Sequence, residues 1–414
     1  MIDRWISRHD PSRVFLRGPD GTLTYGDIAD LGAAPGVCVL EPGRELDTVR
    51  ELMTAGRNGR TLVLVDPKLD PTEKARRRES VSRLGSRSAC TVLFTSGTTG
   101  PARGVRLTEG NWEAAVRASA EFLDHRPEDV WLAAMPLHHV GGLSILYRSA
   151  YVGAAVRWLP TFDTRAVAGA LREDVTLASL VPTMLRRILD HDDHRYQGLK
   201  AVLVGGGPIP PGLLEAAHAR GIPALPTYGS TETCAQAATL PPGSPPRYAV
   251  FPLPGVDIRV GEDGRIRVRG AQVSPGYVDE DDRSPDEWFV TSDLGVLDDD
   301  GGLRVLGRAD QVILTGGENV YPVRVEMTMA GHPDVTAAVV VGVPDSEWGE
   351  VVVAAYEGRV QPDPLREWLK TRLAPHEVPK RLVQFDRLPE AGGGKPDRGA
   401  IRAELAAVLR GDLA

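Results

Sequence analysis

The chain has little of what marks secreted, membrane-bound or nucleic-acid-binding proteins. Its 414 residues include three cysteines, Cys38, Cys90 and Cys234, scattered and in no Cys-x-x-Cys pair. That excludes a disulfide framework or a cysteine zinc site and suits a reducing compartment. Positive charge is in deficit: 48 Lys and Arg against 56 Asp and Glu give a formal charge of −8. A surface built for nucleic acid or a polybasic membrane patch needs the opposite balance. No apolar stretch approaches the length of a membrane span, and Met1-Ile2-Asp3-Arg4-Trp5 lacks a basic-then-apolar signal region. There are no internal repeats. The expectation is a cytoplasmic protein with neither nucleic-acid nor membrane partners. What is present is 42% apolar and 25% charged residues, enough for a large core in two or three units.

Between residues 88 and 227 short β-rich runs alternate with helical patterns. The runs are Thr91–Phe94, Val130–Ala134, Ala155–Leu159, Leu177–Val181, Ala201–Val204 and Ile222–Leu225. Helices are expected over 109–123, 162–173, 183–190 and 211–220. Such alternation predicts a parallel sheet with crossover helices and ligands at the carboxyl ends of its strands. After residue 250, Ile258–Val260, Arg265–Arg269 and Leu303–Leu306 alternate apolar and polar residues between Gly and Asp turns, as antiparallel strands do. From Asp310 the texture is α+β: helix 322–331, strands 335–343 and 351–356, helix 364–374. The fold class is therefore α/β: a large N-terminal domain of mixed and parallel sheets with a small β-rich subdomain, then a smaller α+β C-terminal domain. The expected division is 1–308, comprising 1–87, 88–250 and 251–308, followed by 309–414.

The most informative run is Thr95-Ser96-Gly97-Thr98-Thr99-Gly100-Pro101-Ala102-Arg103-Gly104, which leaves the Thr91–Phe94 strand. Its glycines let successive N–H groups turn inward, its hydroxyls add donors and Arg103 adds charge, which together make a polyphosphate cradle. The spacing is not that of a Walker A loop. A flexible polar turn is the plainer alternative. Tyr228-Gly229-Ser230-Thr231-Glu232-Thr233 ends another strand, and Glu232 serves equally as a Mg²⁺ ligand beside phosphate or as a first-turn acid at a helix start capped by Ser230. Asp293 and Arg308 read as one acid and one base on loops. They suit a ribose, but without other context a solvated surface pair is the stronger reading. Lys395, in Ala391-Gly392-Gly393-Gly394-Lys395-Pro396, sits on a flexible Gly loop, where a linker lysine is the stronger reading on spacing alone. His138-His139 are not expected to pair on a metal, because neighbours on an extended segment face opposite ways. One of them lining a pocket and one serving structure are equally good readings.

In this order the motifs resemble the adenylate-forming superfamily of acyl- and aryl-CoA synthetases, peptide adenylation domains and luciferases. The resemblance runs from Leu23-Thr24-Tyr25 to the end, strongest at Thr95–Gly104, Tyr228–Glu232, Thr291–Gly295, Gly307–Glu326 and Gly394-Lys395. Three stretches, Pro136–Ser144, Tyr228–Gln236 and Leu314–Pro322, are similar to the o-succinylbenzoate–CoA ligases of menaquinone biosynthesis. The resemblance implies an ATP-dependent acid–thiol ligase using Mg²⁺ and CoA on a small carboxylic acid. It implies that Thr95, Ser96, Gly97, Thr98, Thr99, Gly100 and Arg103 hold phosphates, that Glu232 binds Mg²⁺, and that Thr231 meets the α-phosphate or the substrate carboxylate. Gly205, Gly206, Gly207, Tyr228 and Gly229 would border the nucleotide, with Asp293 and Arg308 on its ribose. His139, Gly141 and Ser230 would border the acid. Asp310 would be the hinge of a mobile C-terminal domain carrying Lys395 to the reacting carboxylate and α-phosphate.

Two departures stand out. Arg103 occupies a place where the family usually has lysine, which keeps the charge and adds a bidentate fork. The segment between Thr24-Tyr25 and the phosphate loop is short, so part of the N-terminal α/β subdomain is missing and the oligomeric state is left open, a homo-oligomer included. The rivals are another aryl- or acyl-CoA ligase, an enzyme loading a carrier-protein thiol, and a non-catalytic nucleotide-binding relative.

Overall fold

The computed structural model describes residues 1–29, 36–43, 45–55, 60–85, 88–95, 102–391 and 395–410. The chain divides into two compact units. The first comprises Met1–Gly207, Leu214–Arg259 and Arg267–Phe289, and the second Pro208–Leu213, Val260–Ile266 and Val290–Ala414.

Short runs such as Leu177–Leu180 and Ala201–Val204 are buried at every position. Strands of that kind need cover on both faces, which crossover helices provide. They lie in a nine-stranded sheet ordered Phe251–Pro252, Ala238–Thr239, Ala224–Tyr228, Ala201–Val204, Leu177–Leu180, Val130–Ala133, Ala155–Trp158, Val14–Gly18, Gly21–Thr24. Its six central strands are parallel, and the strands at its ends are antiparallel. A second sheet runs Gly276–Tyr277, Gly104–Leu107, Thr91–Phe94, Thr61–Leu64, Val37–Leu40. There the strand that precedes the Thr95–Gly104 loop pairs in antiparallel register with the strand that follows it, Phe94 opposite Gly104. The two ends of that loop are thus pinned side by side.

The expected helices form, most with ends shifted by a residue or two, while 364–374 starts two residues earlier and ends four residues sooner, at Pro362–Lys370. Glu109–Leu123 begins at a capping box in which Thr108 and Asn111 satisfy each other's backbone N–H. Thr164–Glu173 is capped by Asp163, and Pro182–His191 starts on a proline. Between residues 88 and 227 one helix was not expected from the sequence, Val140–Val152, entered from His139; Ile2–Ile6, Tyr25–Ala29, Leu46–Ala55, Pro71–Val81 and Arg398–Arg410 outside that stretch were not expected either. Gly141 and Gly142 in the first turn of Val140–Val152 disguise it. Gly142 is required there because a Cβ would lie 2.3 Å from the Pro136 carbonyl oxygen. Around this helix sits the main core, where Trp5 and Trp112 both meet Tyr147 edge to face. The Trp112 indole N–H donates to Thr91 Oγ1 at 3.1 Å, so this helix layer is keyed to the strand that leads into the Thr95–Gly104 loop. Truncating a tryptophan so buried typically costs about 3–5 kcal/mol.

In the second unit, Val335–Asp345 and Gly349–Gly358 form a long hairpin inside a five-stranded sheet. Helices Pro322–Ala330, Pro362–Lys370 and Arg398–Arg410 supply apolar faces to two clusters. Valines alternating through both hairpin strands place Val340 and Val352 in one cluster and Val339, Val341 and Val353 in the other. The period of two thus puts a core on each face of the sheet.

Candidate active site

Four elements of the first unit converge on Glu232. The Ala224–Tyr228 strand delivers the chain to a tight loop that no helix follows, which removes the helix-start reading of Glu232. Thr233 still behaves as a local cap: its hydroxyl accepts from Ser230 N at 2.8 Å. The loop closes through Ala235 N to Ser230 O at 3.0 Å and Ala237 N to Tyr228 O at 2.8 Å. Cys234 and Ala235 have φ of 55° and 80°. Two successive non-glycine residues in the left-handed region cost on the order of 1–3 kcal/mol each and persist only where surroundings enforce them. Gly229 is obligatory in this loop, because a Cβ would sit 1.6 Å from the Ala235 oxygen.

The Glu232 carboxylate accepts from the Tyr277 hydroxyl at 2.8 Å. The Arg103 guanidinium lies 3.5 Å from the centroid of the same tyrosine ring and pairs with Glu280. Burial first, and the neighbouring Glu232 charge second, raise the Tyr277 hydroxyl well above the ordinary tyrosine pKa, so it remains a donor throughout the useful pH range. Arg106, fully buried, donates from Nε to the Tyr277 carbonyl at 2.9 Å and from an Nη to the Glu280 carbonyl at 3.2 Å. At the loop's own base, Thr95 N donates to Arg103 O at 3.0 Å and Arg103 N to Thr95 Oγ1 at 3.1 Å. The stem of the Thr95–Gly104 loop, a cation, a tyrosine and a carboxylate are therefore linked in sequence. Ser96–Gly100 of that loop lie outside the described residues.

Tyr277, Glu280 and Arg106 were not expected from the sequence. The available signal was Gly276-Tyr277, a glycine with φ of 145° just before an aromatic residue, and it gains meaning only once that pair is seen beside the Gly104–Leu107 strand. Among the described residues no three His, Cys, Asp or Glu cluster as a metal cage. One carboxylate with an oxygen not engaged by any described partner is still a suitable hard ligand for Mg²⁺, which usually takes one or two protein carboxylates and completes its shell with phosphate and water.

Gly205 donates its N–H to Leu180 O at 3.2 Å, and a Cβ there would fall 2.7 Å from Thr227 O. Its smallness thus serves the approach of two strands, while a Cβ on Gly207 would meet nothing within 4 Å. The Ser230 hydroxyl is buried without a partner among the described residues. His138 and His139 depart from expectation. They lie on a turn and a helix N-cap rather than on an extended strand, so their rings meet, centroids 4.4 Å apart, instead of facing opposite ways. His138 Nε2 stands 3.5 Å from Asp66, and burial outweighs that carboxylate in lowering its pKa.

In the second unit, Asp293 and Arg308 are not on loops. They are cross-strand partners of the Phe289–Leu297 and Leu303–Arg308 pair, directly opposite in register. Sheet geometry, not a chance surface pairing, sets them side by side. Arg308 grips Asp310 through two bonds of 2.9 and 2.7 Å and reaches within 3.9 Å of Asp293. Lys395 likewise stands on a strand rather than in an open loop, paired with Ala391; Gly392–Gly394 between them lie outside the described residues, as does the lysine side chain. Arg398, three residues on, is clamped to both oxygens of Glu326 at 2.6 Å. That pair anchors the helix following the lysine.

The family model for AMP-binding enzymes matches residues 33–278, more than half the chain, and that for the AMP-binding enzyme C-terminal domain matches 324–395. The chain is 39% identical over 326 residues to the 2-succinylbenzoate–CoA ligase of Bacillus licheniformis, covering 74% of this chain and 68% of that protein. It is 41% identical over 343 residues to the same-named ligase of Geobacillus kaustophilus, covering 77% and 69%. The solved o-succinylbenzoate CoA synthetase of Bacillus subtilis with its acyl-adenylate intermediate superposes with a TM-score of 0.87 at 28% identity, over 97% of each chain. Its complex with ATP and magnesium gives 0.85 at 28%, over 96% and 98%. Among the described residues no helix is long and apolar enough to cross a membrane. By these matches the chain belongs to the AMP-binding enzyme family.

Proposed function

We propose that this enzyme activates 2-succinylbenzoate as its acyl-adenylate and transfers the acyl group to coenzyme A, working in the reducing cytoplasm. The observation that carries the chemistry is the link from the stem of the Thr95–Gly104 loop through Arg103 and Tyr277 to Glu232, whose carboxylate keeps one oxygen that no described residue engages. The choice of acid rests on the activity named for the relatives.

A carboxylate cannot expel oxide, so it must first gain a leaving group. One of its oxygens attacks the α-phosphorus of ATP, the bond to pyrophosphate breaks, and the thiol sulfur of coenzyme A then displaces AMP from the acyl carbon. The chain's task is to align attacker and leaving group and to stabilise charge on the transferring phosphoryl group. Thr95, Ser96–Gly100 and Arg103 hold the β- and γ-phosphates, and Thr231 meets the α-phosphate or the acid. Gly205–Gly207, Tyr228 and Gly229 border the nucleotide, while Asp293 and Arg308 bond the ribose. His139, Gly141 and Ser230 border the acid. Glu232 would hold Mg²⁺, which would supply positive charge against the phosphates. Lys395 supplies a point charge between carboxylate and α-phosphate. Asp310, held by Arg308, is the pivot about which residues 309–414 turn against 1–308 between the two half-reactions.

The test is pyrophosphate release and thioester formation with ATP, Mg²⁺ and coenzyme A on 2-succinylbenzoate, benzoate and a medium-chain fatty acid. Turnover of 2-succinylbenzoate alone is the expected result. Turnover of only the other acids assigns the ligase a different substrate.

A further inference from the structure

The loop that carries Glu232 holds a left-handed pair that its own sequence does not favour, and a single buried amide spans that pair. Gln272 is 1% exposed. Its Nε2 donates to Thr233 O at 2.8 Å and to Gln236 O at 2.7 Å. Those carbonyls flank Cys234 and Ala235, the residues with φ of 55° and 80°. Both amide hydrogens are therefore spent on closing one strained turn. Two residues further on, Ser274 N donates to the carbonyl of Glu232 itself at 2.7 Å. The segment that supplies both groups is fixed from behind. Asn111 Nδ2 donates to Ala271 O at 2.8 Å and to Val273 O at 2.9 Å, on either side of Gln272, while Asn111 Oδ1 accepts from Thr108 N at 2.9 Å. The order runs from the capped end of the Glu109–Leu123 helix, through Ala271–Ser274, to the loop of Glu232.

We infer that Gln272 is the positioning residue of Glu232: it staples the loop in its left-handed conformation and so fixes the direction of the carboxylate. This rests on the metal role proposed for Glu232. A side chain needed only to fill space could be apolar, whereas two donors converging on two carbonyls select an amide. Loss of the donors leaves two buried carbonyls unpaired and removes the side-chain constraint that, beside the loop's own backbone bonds, holds the L-residue pair left-handed.

The test uses the whole chain without any carboxylic acid, and reads equilibrium binding of ATP by calorimetry across a Mg²⁺ titration. AMP binding measured without metal is the control. Gln272→Met is expected to weaken binding of Mg²⁺-ATP by about tenfold or more, with AMP affinity held within about twofold. Ala235→Gly, which accepts a positive φ freely, is expected to recover much of the loss in the Gln272→Met background. Equal loss for AMP and Mg²⁺-ATP, or no loss in a Gln272→Met protein of wild-type fold, overturns the staple. Gln272→Glu is isosteric and when neutral keeps one donor. Where the Met variant does not fold, it must show the same selective loss at a smaller size, about threefold, and its absence overturns the inference. Glu232→Gln is measured alongside. If it binds Mg²⁺-ATP like the wild type, the metal role fails; if it is impaired and the Gln272 variants are not, only the staple fails.

Discussion

Tyr277→Phe isolates one bond. The substitution removes the hydroxyl that donates to Glu232 at 2.8 Å and keeps the ring under Arg103, 3.5 Å from its centroid. A hydrogen bond to a charged acceptor contributes about 1.5–3 kcal/mol, and the half-buried setting of both groups places this one near the lower end. Because about 1.4 kcal/mol is a factor of ten, acyl-adenylate formation should slow by about tenfold. The assay is acid-dependent pyrophosphate release at saturating ATP and Mg²⁺. Thioester formation from supplied acyl-adenylate is measured in parallel and should not change. If the bond acts by orienting Glu232, the effect must vanish in a Glu232→Gln background, which is a double-mutant cycle with a coupling of about the same 1.4 kcal/mol. Wild-type rates in Tyr277→Phe, or an undiminished tenfold loss in the Glu232→Gln background, refute the orienting role.

Three further outcomes follow from the same account. Lys395→Ala should cut adenylate formation by roughly 10²–10³ while sparing conversion of supplied acyl-adenylate to thioester, and equal loss of both steps removes Lys395 from the chemistry. Asp310→Pro, which locks φ beside the Arg308 grip, should impair thioester formation more than adenylation; unchanged kinetics in both steps puts the pivot elsewhere. His125 sits among Trp131, Arg148, Lys200 and Asp129, and burial lowers its pKa from 6.5 to about 4. The unfolded chain therefore binds the extra proton between those values. The stabilisation, about 3 kcal/mol, is complete above pH 6.5 and is lost as the pH falls toward 4. His125→Phe should flatten that part of the melting-temperature profile, and an unchanged acid limb contradicts the assignment.

Much of the fold was legible because strand and helix periods differ. Val130–Ala133, Leu177–Leu180 and Ala201–Val204 are apolar runs bounded by turns, and Thr108, Asp163 and Pro182 mark helix starts. The helix at Val140–Val152 escaped because propensity counts Gly141 and Gly142 against it, whereas packing on Pro136 demands the second of them. Within the candidate site, ordered motifs single out Glu232 and the Thr95–Gly104 loop because backbone geometry of such loops requires glycine and hydroxyls locally. What escaped was relational. Asp293 and Arg308 read as loop residues because register is invisible in one sequence. Tyr277 was silent because its partners, Glu232 and Arg103, stand 45 and 174 positions away. The His138–His139 contact was misjudged because a turn was taken for a strand.

The central claim is that the acid is activated on the α-phosphorus before any thiol is engaged. Exchange of labelled pyrophosphate into ATP, with Mg²⁺ and 2-succinylbenzoate but without coenzyme A, tests it most directly. The account predicts exchange that requires the acid and is strongly reduced, though still measurable, in Glu232→Gln. Absence of exchange, with thioester formed only when coenzyme A is present and ADP as the nucleotide product, would contradict it.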